Sequence, residues 1–357
     1  MHVAIACGGT GGHIFPGLAT AAEIRRRQHS VTLWLGGRDV ESVSIENWDG
    51  KVIAVRASGF PSGFSLQSLR VAIGLVTAAL KCRKHMKQDR PDVLLAMGSY
   101  ASVGPALAAR SLGIPVVLHE ANAVPGRAAS FLSHFAAAIA VTFGKTSEMF
   151  GGRKSVLTGF PLRKDLKLQF DEGILVRGKF TVLVMGGSQG AHRLNEVVSS
   201  ALCQLHKKGV PLQVMHLAGK NDESDVRRAY ELAGMPAVVF GFLKDMGMAY
   251  GVADIAVSRA GAASCMELSL YQVPALLVPL PSARRDHQME NARILESAGA
   301  ADVIAESDLT SERLGEYIEN CVKDRARLDK MKQHMQAIAT PDAAEKLAEL
   351  VIEQVAK

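Results

Sequence analysis

The chain has 357 residues, 48% of them apolar, enough for two ordinary domains with separate cores. Its five cysteines, Cys7, Cys82, Cys203, Cys265 and Cys321, show no CxxC or histidine-paired spacing, which excludes a metal module and reads as reduced thiols. The net charge of +6 is uneven, with 18 Lys/Arg against 9 Asp/Glu in residues 1–163 and 23 against 26 in the remainder, and only 5% of residues are aromatic. Such a basic half predicts an anionic contact, phosphate or a lipid surface, and nothing resembles a nucleic-acid signature.

In chain order, "HVAIAC", "VTLWL", "KVIAV", "DVLLAM", "PVVLHE" and "AAIAVT" read as buried strands. Between them run the helix patterns "PGLATAAEIRRRQ", "LQSLRVAIGLVTAALKCRKHMKQ" and "VGPALAARSLG". Continuously apolar strands alternating with helices predict a parallel sheet covered on both faces. The pattern lapses over 161–179, taken as a linker, and restarts with "FTVLVMGGSQGAHRLNEVVSSALCQL", "LQVMHLAG", "AVVFGF", "ADIAVSR" and "PALLVPL". The fold class expected is α/β, two facing, doubly wound Rossmann-like domains over 1–160 and 180–340. A last helix over 341–357 is expected to pack back on the first domain. No secretory signal pattern and no 18-residue apolar run is present, so the expectation is a cytoplasmic location.

Each half opens with the same device: "VAIACGGTGGH" and "VLVMGGSQGAH" are both strand, glycine-rich turn, helix start. Such a turn lets a ligand approach bare backbone and meet helix N–H groups, a setting that favours phosphate. The common nucleotide motifs do not fit. A dinucleotide fingerprint needs glycine where Ile14 stands, and an acid where "GGR", Gly36 to Arg38, follows the second strand. A P-loop at "FGKTS" needs glycine at Ile139, and no D-x-D exists to hold a metal-bound nucleotide sugar. In the second half, Gly261 to Ser264 open a helix after a strand, and Glu267 follows on its first turns as an acceptor for ribose hydroxyls. Asp286, His287 and Gln288 are suited to sugar hydroxyls.

The segments "GGTGGHIFPGLA", "GSYASVGPALAA", "HEANAVPGRAA", "GFPLR", "GGSQGAHRLN" and "SRAGAASCMELSLYQVPALLVPLPSARRDHQMENA" occur in the order seen in the MurG family. That family comprises the undecaprenyl-diphosphomuramoyl-pentapeptide N-acetylglucosaminyltransferases of bacterial peptidoglycan synthesis, and the resemblance runs from about residue 3 to 300. It implies the two-domain GT-B fold and inverting transfer of N-acetylglucosamine from UDP-N-acetylglucosamine to the C4 hydroxyl of the muramyl sugar of lipid I, giving lipid II. Carried over by position, Thr10, Gly11 and Gly12 line the donor-sugar and acceptor-diphosphate region, and Asn122 bonds a sugar hydroxyl. Arg163 and Ser188 approach the donor diphosphate, and the backbone of Leu243 meets the uracil edge. The run Ala262, Ala263, Ser264, Cys265, Met266 and Glu267 holds sugar, phosphate and ribose, and Gln288 reads the sugar. No cofactor or metal is implied. The partners are UDP-N-acetylglucosamine, lipid I and an anionic membrane surface at the cytoplasmic face of the inner membrane, with other cell-wall synthesis proteins as candidates. The chain departs from the family pattern at Ser99, Ala121, Phe160 and Leu217.

The chemistry needs a base for the acceptor hydroxyl. His13, at the lip of the first glycine turn, is the first candidate, since imidazole titrates near neutrality and a helix N-terminus disfavours its cation. Glu120, or His119 beside it, is the rival. "LRVAIGLVTAALKCRKHMKQ" combines an apolar stripe with Lys81, Arg83, Lys84 and Lys87, suited to anionic headgroups, although packing on its own sheet explains the apolar part equally well. Another GT-B enzyme on UDP-N-acetylglucosamine, a glycolipid glycosyltransferase or a 2-epimerase, and a non-catalytic nucleotide-sugar sensor are the alternatives.

Overall fold

The computed structural model describes residues 1–37, 45–46, 48–55, 66–162, 175–176, 178–186, 191–243, 245–281, 283 and 286–355, with backbone alone for 66–70. The chain forms two compact units, Met1–Lys164 with Thr340–Lys357, and Asp165–Ala339. Most of the segment read as a linker, 163–174 and 177, lies outside the described residues.

The first unit is built on a parallel sheet of seven strands: β1 His2–Ala6, β2 Ser30–Leu35, β3 Lys51–Ala54, β4 Val93–Ala96, β5 Val116–Glu120, β6 Ala138–Val141 and β7 Ser155–Leu157. Their order is β3-β2-β1-β4-β5-β6-β7, with Ala6 paired to both Trp34 and Ala96. Alternate residues of β1 feed two cores. Val3 and Ile5 meet Ile14, Leu18 and Ile24 of the Gly11–Arg26 helix, together with Leu347, Ala348 and Val351 of the Ala343–Glu353 helix. Ala4 and Ala6 face the opposite layer, where Ala78, Cys82, Met86, Ala106 and Leu132 lie. Burial on both faces is why the inner strands carry no polar alternation. The C-terminal helix is thus a structural part of the first unit, and Arg27 clasps its Glu349 at 3.0 Å.

The second unit has six parallel strands: β8 Phe180–Met185, β9 Leu212–Leu217, β10 Ala237–Phe240, β11 Ile255–Ser258, β12 Ala275–Leu277 and β13 Ala301–Val303. The order is β10-β9-β8-β11-β12-β13. β7 and β13 had no counterpart among the expected strands, because neither is buried throughout and neither carries the continuous apolar run of the inner strands. Both sheets are doubly wound. The direction of winding reverses between β1 and β4 in one and between β8 and β11 in the other, and ligands of such sheets bind beyond the strand carboxyl ends at that reversal.

Candidate active site

In the first unit the glycine turn follows β1, at the reversal. Each glycine there answers to a different constraint. A Cβ on Gly8 would lie 2.3 Å from the Gly36 nitrogen, so the loops after β1 and β2 pack backbone to backbone. Gly9 has φ of +131°, open to glycine only. A Cβ on Gly17 would sit 2.5 Å from Cys7 Cβ, so the helix presses directly on its strand. Gly12 differs: its nearest neighbour would be Thr10 Oγ1 at 3.8 Å, an ordinary contact. Packing within the unit does not demand a bare backbone at Gly12. The helix starts at Gly11, five residues before Pro16, where the sequence pattern placed its beginning. Pro16 has no N–H to give the Gly12 carbonyl, yet the turn winds through. His13 therefore sits in the first helical turn, its Nδ1 3.2 Å from Thr10 Oγ1 and its ring beside Gly9.

The ends of β4 and β5 complete this corner. Ser102 donates to the Ala6 carbonyl at 2.7 Å and lies 3.2 Å from the Ser99 hydroxyl, which ties the turn after β4 to the end of β1. Ser99, one of the departures from the family pattern, is thereby a buried framework residue. Glu120, the last residue of β5, is buried, and both its oxygens are engaged. Oε1 accepts from the Asn122 backbone N–H at 2.9 Å and from Asn122 Nδ2 at 3.2 Å, and Oε2 accepts from the Gly126 N–H at 3.0 Å. Burial pushes the Glu120 carboxyl upward against these three bonds. His119 is fully enclosed, with Nε2 3.2 Å from the Gly159 carbonyl and its ring edge-on to Phe160 at 6.3 Å. Burial pushes His119 down to about 4, so it is neutral, and its contacts are structural.

In the second unit the candidates ring the carboxyl ends of β10, β11 and β12. Gly261 is the residue before the Ala262–Leu270 helix and, with no heavy atom within 4 Å of its notional Cβ, it lies open. Of the run carried over from the family, Ala263, Ser264 and Glu267 are partly exposed. Cys265 and Met266 point into the core, and the Cys265 N–H is spent on the Gly261 carbonyl at 2.9 Å. Ala262 is buried but contributes a first-turn N–H. Glu267 Oε2 accepts from the hydroxyl of buried Tyr250 at 2.6 Å. Gln288 Oε1 accepts from the Leu280 N–H at 3.0 Å, which aims its amide NH2 as the donor end. Asp286, just before the His287–Ser297 helix that carries Gln288, holds φ of +51°, an uncommon backbone state that Asp tolerates. Leu243 lies three residues past β10 and is half-buried. Arg259, buried at the end of β11, donates to the Val278 carbonyl at 3.2 Å and pairs with Glu306, fixing the end of β12 from which the Gln288 loop departs.

Between the His192–Lys207 helix and β9 lies a buried polar chain whose proton positions follow from its partners. Asn195 Nδ2 donates to the Ala218 carbonyl and to Asp222 Oδ2, both at 2.8 Å. Its Oδ1 must therefore accept from His216 Nε2–H at 3.1 Å, and His216 Nδ1 accepts from the Tyr230 hydroxyl at 2.9 Å. Burial pushes His216 down to about 3, consistent with a neutral ring. The chain anchors the His192–Lys207 helix to the end of β9.

Within the first unit, Thr10, Gly11, Gly12 and His13 thus follow β1, while Glu120 ends β5 and Asn122 follows it, on the other side of β4. Within the second, Leu243 follows β10, Ala262 to Glu267 follow β11 and Gln288 follows β12. Arg163 and Ser188 lie outside the described residues. Sequence reasoning did not find Tyr250 or Arg259, whose partners lie 17 and 47 residues away, and no local signal marks such pairs.

The model of the glycosyltransferase family 28 N-terminal domain matches residues 3–141, and that of the family 28 C-terminal domain matches residues 181–347. The UDP-N-acetylglucosamine–N-acetylmuramyl-(pentapeptide) pyrophosphoryl-undecaprenol N-acetylglucosamine transferase of Citrifermentans bemidjiense is 35% identical over 355 residues, covering 99% of each chain. The crystal structure of Acinetobacter baumannii MurG superposes with a TM-score of 0.80 at 30% identity, again over 99% of each chain. A UDP-GlcNAc 2-epimerase from Neisseria meningitidis shares the fold alone, with a TM-score of 0.71 at 13% identity over 99% of this chain and 100% of the other. The chain therefore belongs to glycosyltransferase family 28, within its MurG family, and has that family's fold of two parallel-sheet, Rossmann-like domains.

Proposed function

We propose that the protein transfers N-acetylglucosamine from UDP-N-acetylglucosamine to the C4 hydroxyl of the muramyl sugar of undecaprenyl-diphospho-muramoyl-pentapeptide, with inversion at the anomeric carbon. The observation that carries this reading is likeness over the whole chain to a transferase named for that donor and acceptor. The strand-end chemistry of both sheets agrees with it. In the second unit the first-turn amides of Ala262, Ala263 and Ser264 face the phosphates, Glu267 accepts the ribose hydroxyls and the Gln288 amide donates to the sugar. Leu243 presents backbone to uracil, and Arg163 and Ser188 stabilise the departing diphosphate.

In the first unit His13 is the general base. The tautomer in which Nδ1–H donates to Thr10 Oγ1, 3.2 Å away, leaves Nε2 as the basic nitrogen, which takes the acceptor proton as the C1–O4 bond forms and the C1–phosphate oxygen bond breaks. UDP leaves with the bonding electrons, and no sugar–enzyme intermediate is formed. Glu120 acts through Asn122: its three bonds hold the 121–126 loop in place to meet a sugar hydroxyl. The test is labelled UDP-N-acetylglucosamine with a short-chain lipid I analogue. A single β-1,4-linked N-acetylglucosamine on the muramyl residue is expected, and any other linkage or acceptor overturns the reading.

The acceptor is lipid-borne, so the protein works at the cytoplasmic face of the plasma membrane as a peripheral enzyme. No helix among the described residues is long and apolar enough to cross a bilayer. The Leu66–Gln88 helix divides its apolar residues between two faces. Leu75, Ala78, Cys82 and Met86 are buried on the sheet side. Ile73, Val76 and Leu80 are 55%, 58% and 61% exposed, and their spacing continues through Lys84 and Lys87 as one stripe. That stripe supports docking on anionic headgroups, with the aliphatic side chains entering the interface and the lysines meeting phosphate.

A further inference from the structure

We propose that Tyr250 is a positioning residue for nucleotide recognition, setting the Glu267 carboxylate against the ribose. This rests on the reading of Glu267 as the ribose acceptor. The Tyr250 hydroxyl donates to Glu267 Oε2 at 2.6 Å from a side chain that is 3% exposed. Its ring is stacked on Tyr271, with centroids 5.0 Å apart and planes 8° from parallel, so the hydroxyl is held from two directions. Burial, aided by the nearby Glu267 charge, pushes the Tyr250 phenol well above the ordinary tyrosine range, which makes it a donor at every working pH.

Tyr250 belongs to the buried frame, and Glu267 lies on the partly exposed face of its helix with Ala263, Ser264 and Leu270. A glutamate has three rotatable bonds, and at this partly exposed position each hydrogen bond it accepts narrows the rotamers it samples. The bond from the buried Tyr250 hydroxyl restrains Oε2 from the frame side. Each carboxylate oxygen can accept two bonds, so Oε2 holds Tyr250 and still takes a ribose hydroxyl. The helix that carries Tyr250, Met246–Val252, is capped by Asp245, whose Oδ1 accepts from the Gly247 N–H at 3.0 Å. Leu243 stands two residues before that cap. The segment that meets uracil and the side chain that sets the ribose acid are therefore near neighbours in the chain.

The test uses the full chain and two nucleotides, UDP and 2′,3′-dideoxy-UDP, whose affinity ratio isolates the ribose hydroxyls. Wild type is expected to favour UDP strongly, and Glu267→Ala to bring the ratio close to one. Tyr250→Phe keeps the stack and loses only the hydroxyl. It should lower the ratio by about tenfold, the scale of one bond to a charged acceptor, with affinity for the dideoxy nucleotide unchanged. If Tyr250→Phe keeps the full ratio while Glu267→Ala loses it, the proposal fails and the ribose reading stands. Equal weakening toward both nucleotides in Tyr250→Phe also overturns the proposal, because it marks a general structural role. A full ratio in Glu267→Ala removes the ribose reading itself.

Discussion

Glu120 and Asn122 give the sharpest test of how the acceptor site is held. Replacing Glu120 by glutamine keeps the shape but leaves one acceptor oxygen. If that oxygen keeps both bonds to Asn122, the new NH2 faces the Gly126 N–H, where the carboxylate had accepted at 3.0 Å. One bond to a charged acceptor is lost, on the order of 1.5–3 kcal/mol, and two donors are opposed. Part of this is recovered, because burial already disfavours the carboxylate charge and an amide has none to desolvate. A net cost of about 2 kcal/mol in holding the loop corresponds to roughly a 30-fold fall in turnover. Steady-state kinetics of Glu120→Gln, Asn122→Ala and the double variant measure the coupling. If Glu120 works through Asn122, the double variant is no slower than the slower single variant, within about threefold. The pH–rate profile of Glu120→Gln should also keep its acid limb, because the proposed base, His13, is left in place. Losses that multiply in the double variant, or an acid limb that vanishes in Glu120→Gln, would make Glu120 the base and refute this account.

His13→Ala should lower turnover by at least ~10²-fold with UDP affinity nearly unchanged, and near-normal turnover would remove His13 from the proton transfer. Placing Asp at Ile73, Val76 and Leu80 together should abolish sedimentation with anionic vesicles while leaving the melting temperature close to that of the wild type, since these side chains are already exposed. Undiminished vesicle binding would count against the stripe. His119 and His216 are held down to about 4 and about 3, so from near pH 6.5 downward the unfolded chain takes up protons that the folded chain does not. The stability they contribute is present above about pH 6.5 and is lost as the pH falls toward those values. Urea unfolding should show a falling free energy between pH 7 and pH 5, less steep in His119→Gln, and a flat profile would contradict it.

How much could be read in advance follows from which interactions are local. The double winding was legible because strands such as "VLLA" and "FTVLVM", buried on both faces, carry a continuous apolar signal. The first glycine turn was legible as a device, but not the division of labour within it. That Gly8 yields to a neighbouring loop, Gly9 to a positive φ and Gly17 to Cys7 depends on distances that no spacing encodes. The helix start beside the first glycine turn was legible from "VAIACGGTGGH", although the helix pattern itself could be followed only from Pro16 and the structure winds the helix from Gly11. The run Ala262 to Glu267 was found as a block, whereas helix geometry separates Ser264 and Glu267, which look outward, from Cys265 and Met266, which fill the core. The two faces of the Leu66–Gln88 helix were merged for the same reason: apolar residues on a buried stripe and on an exposed one look alike until burial is known. Tyr250 was invisible because its partner is reached only once the Met246–Val252 and Ala262–Leu270 helices have folded together.

Acceptor-dependent UDP release tests the central claim most directly. Purified protein with UDP-N-acetylglucosamine should liberate UDP only when the lipid I analogue is added, one UDP for each sugar transferred. Steady UDP release without any acceptor, or none with it, would contradict the account.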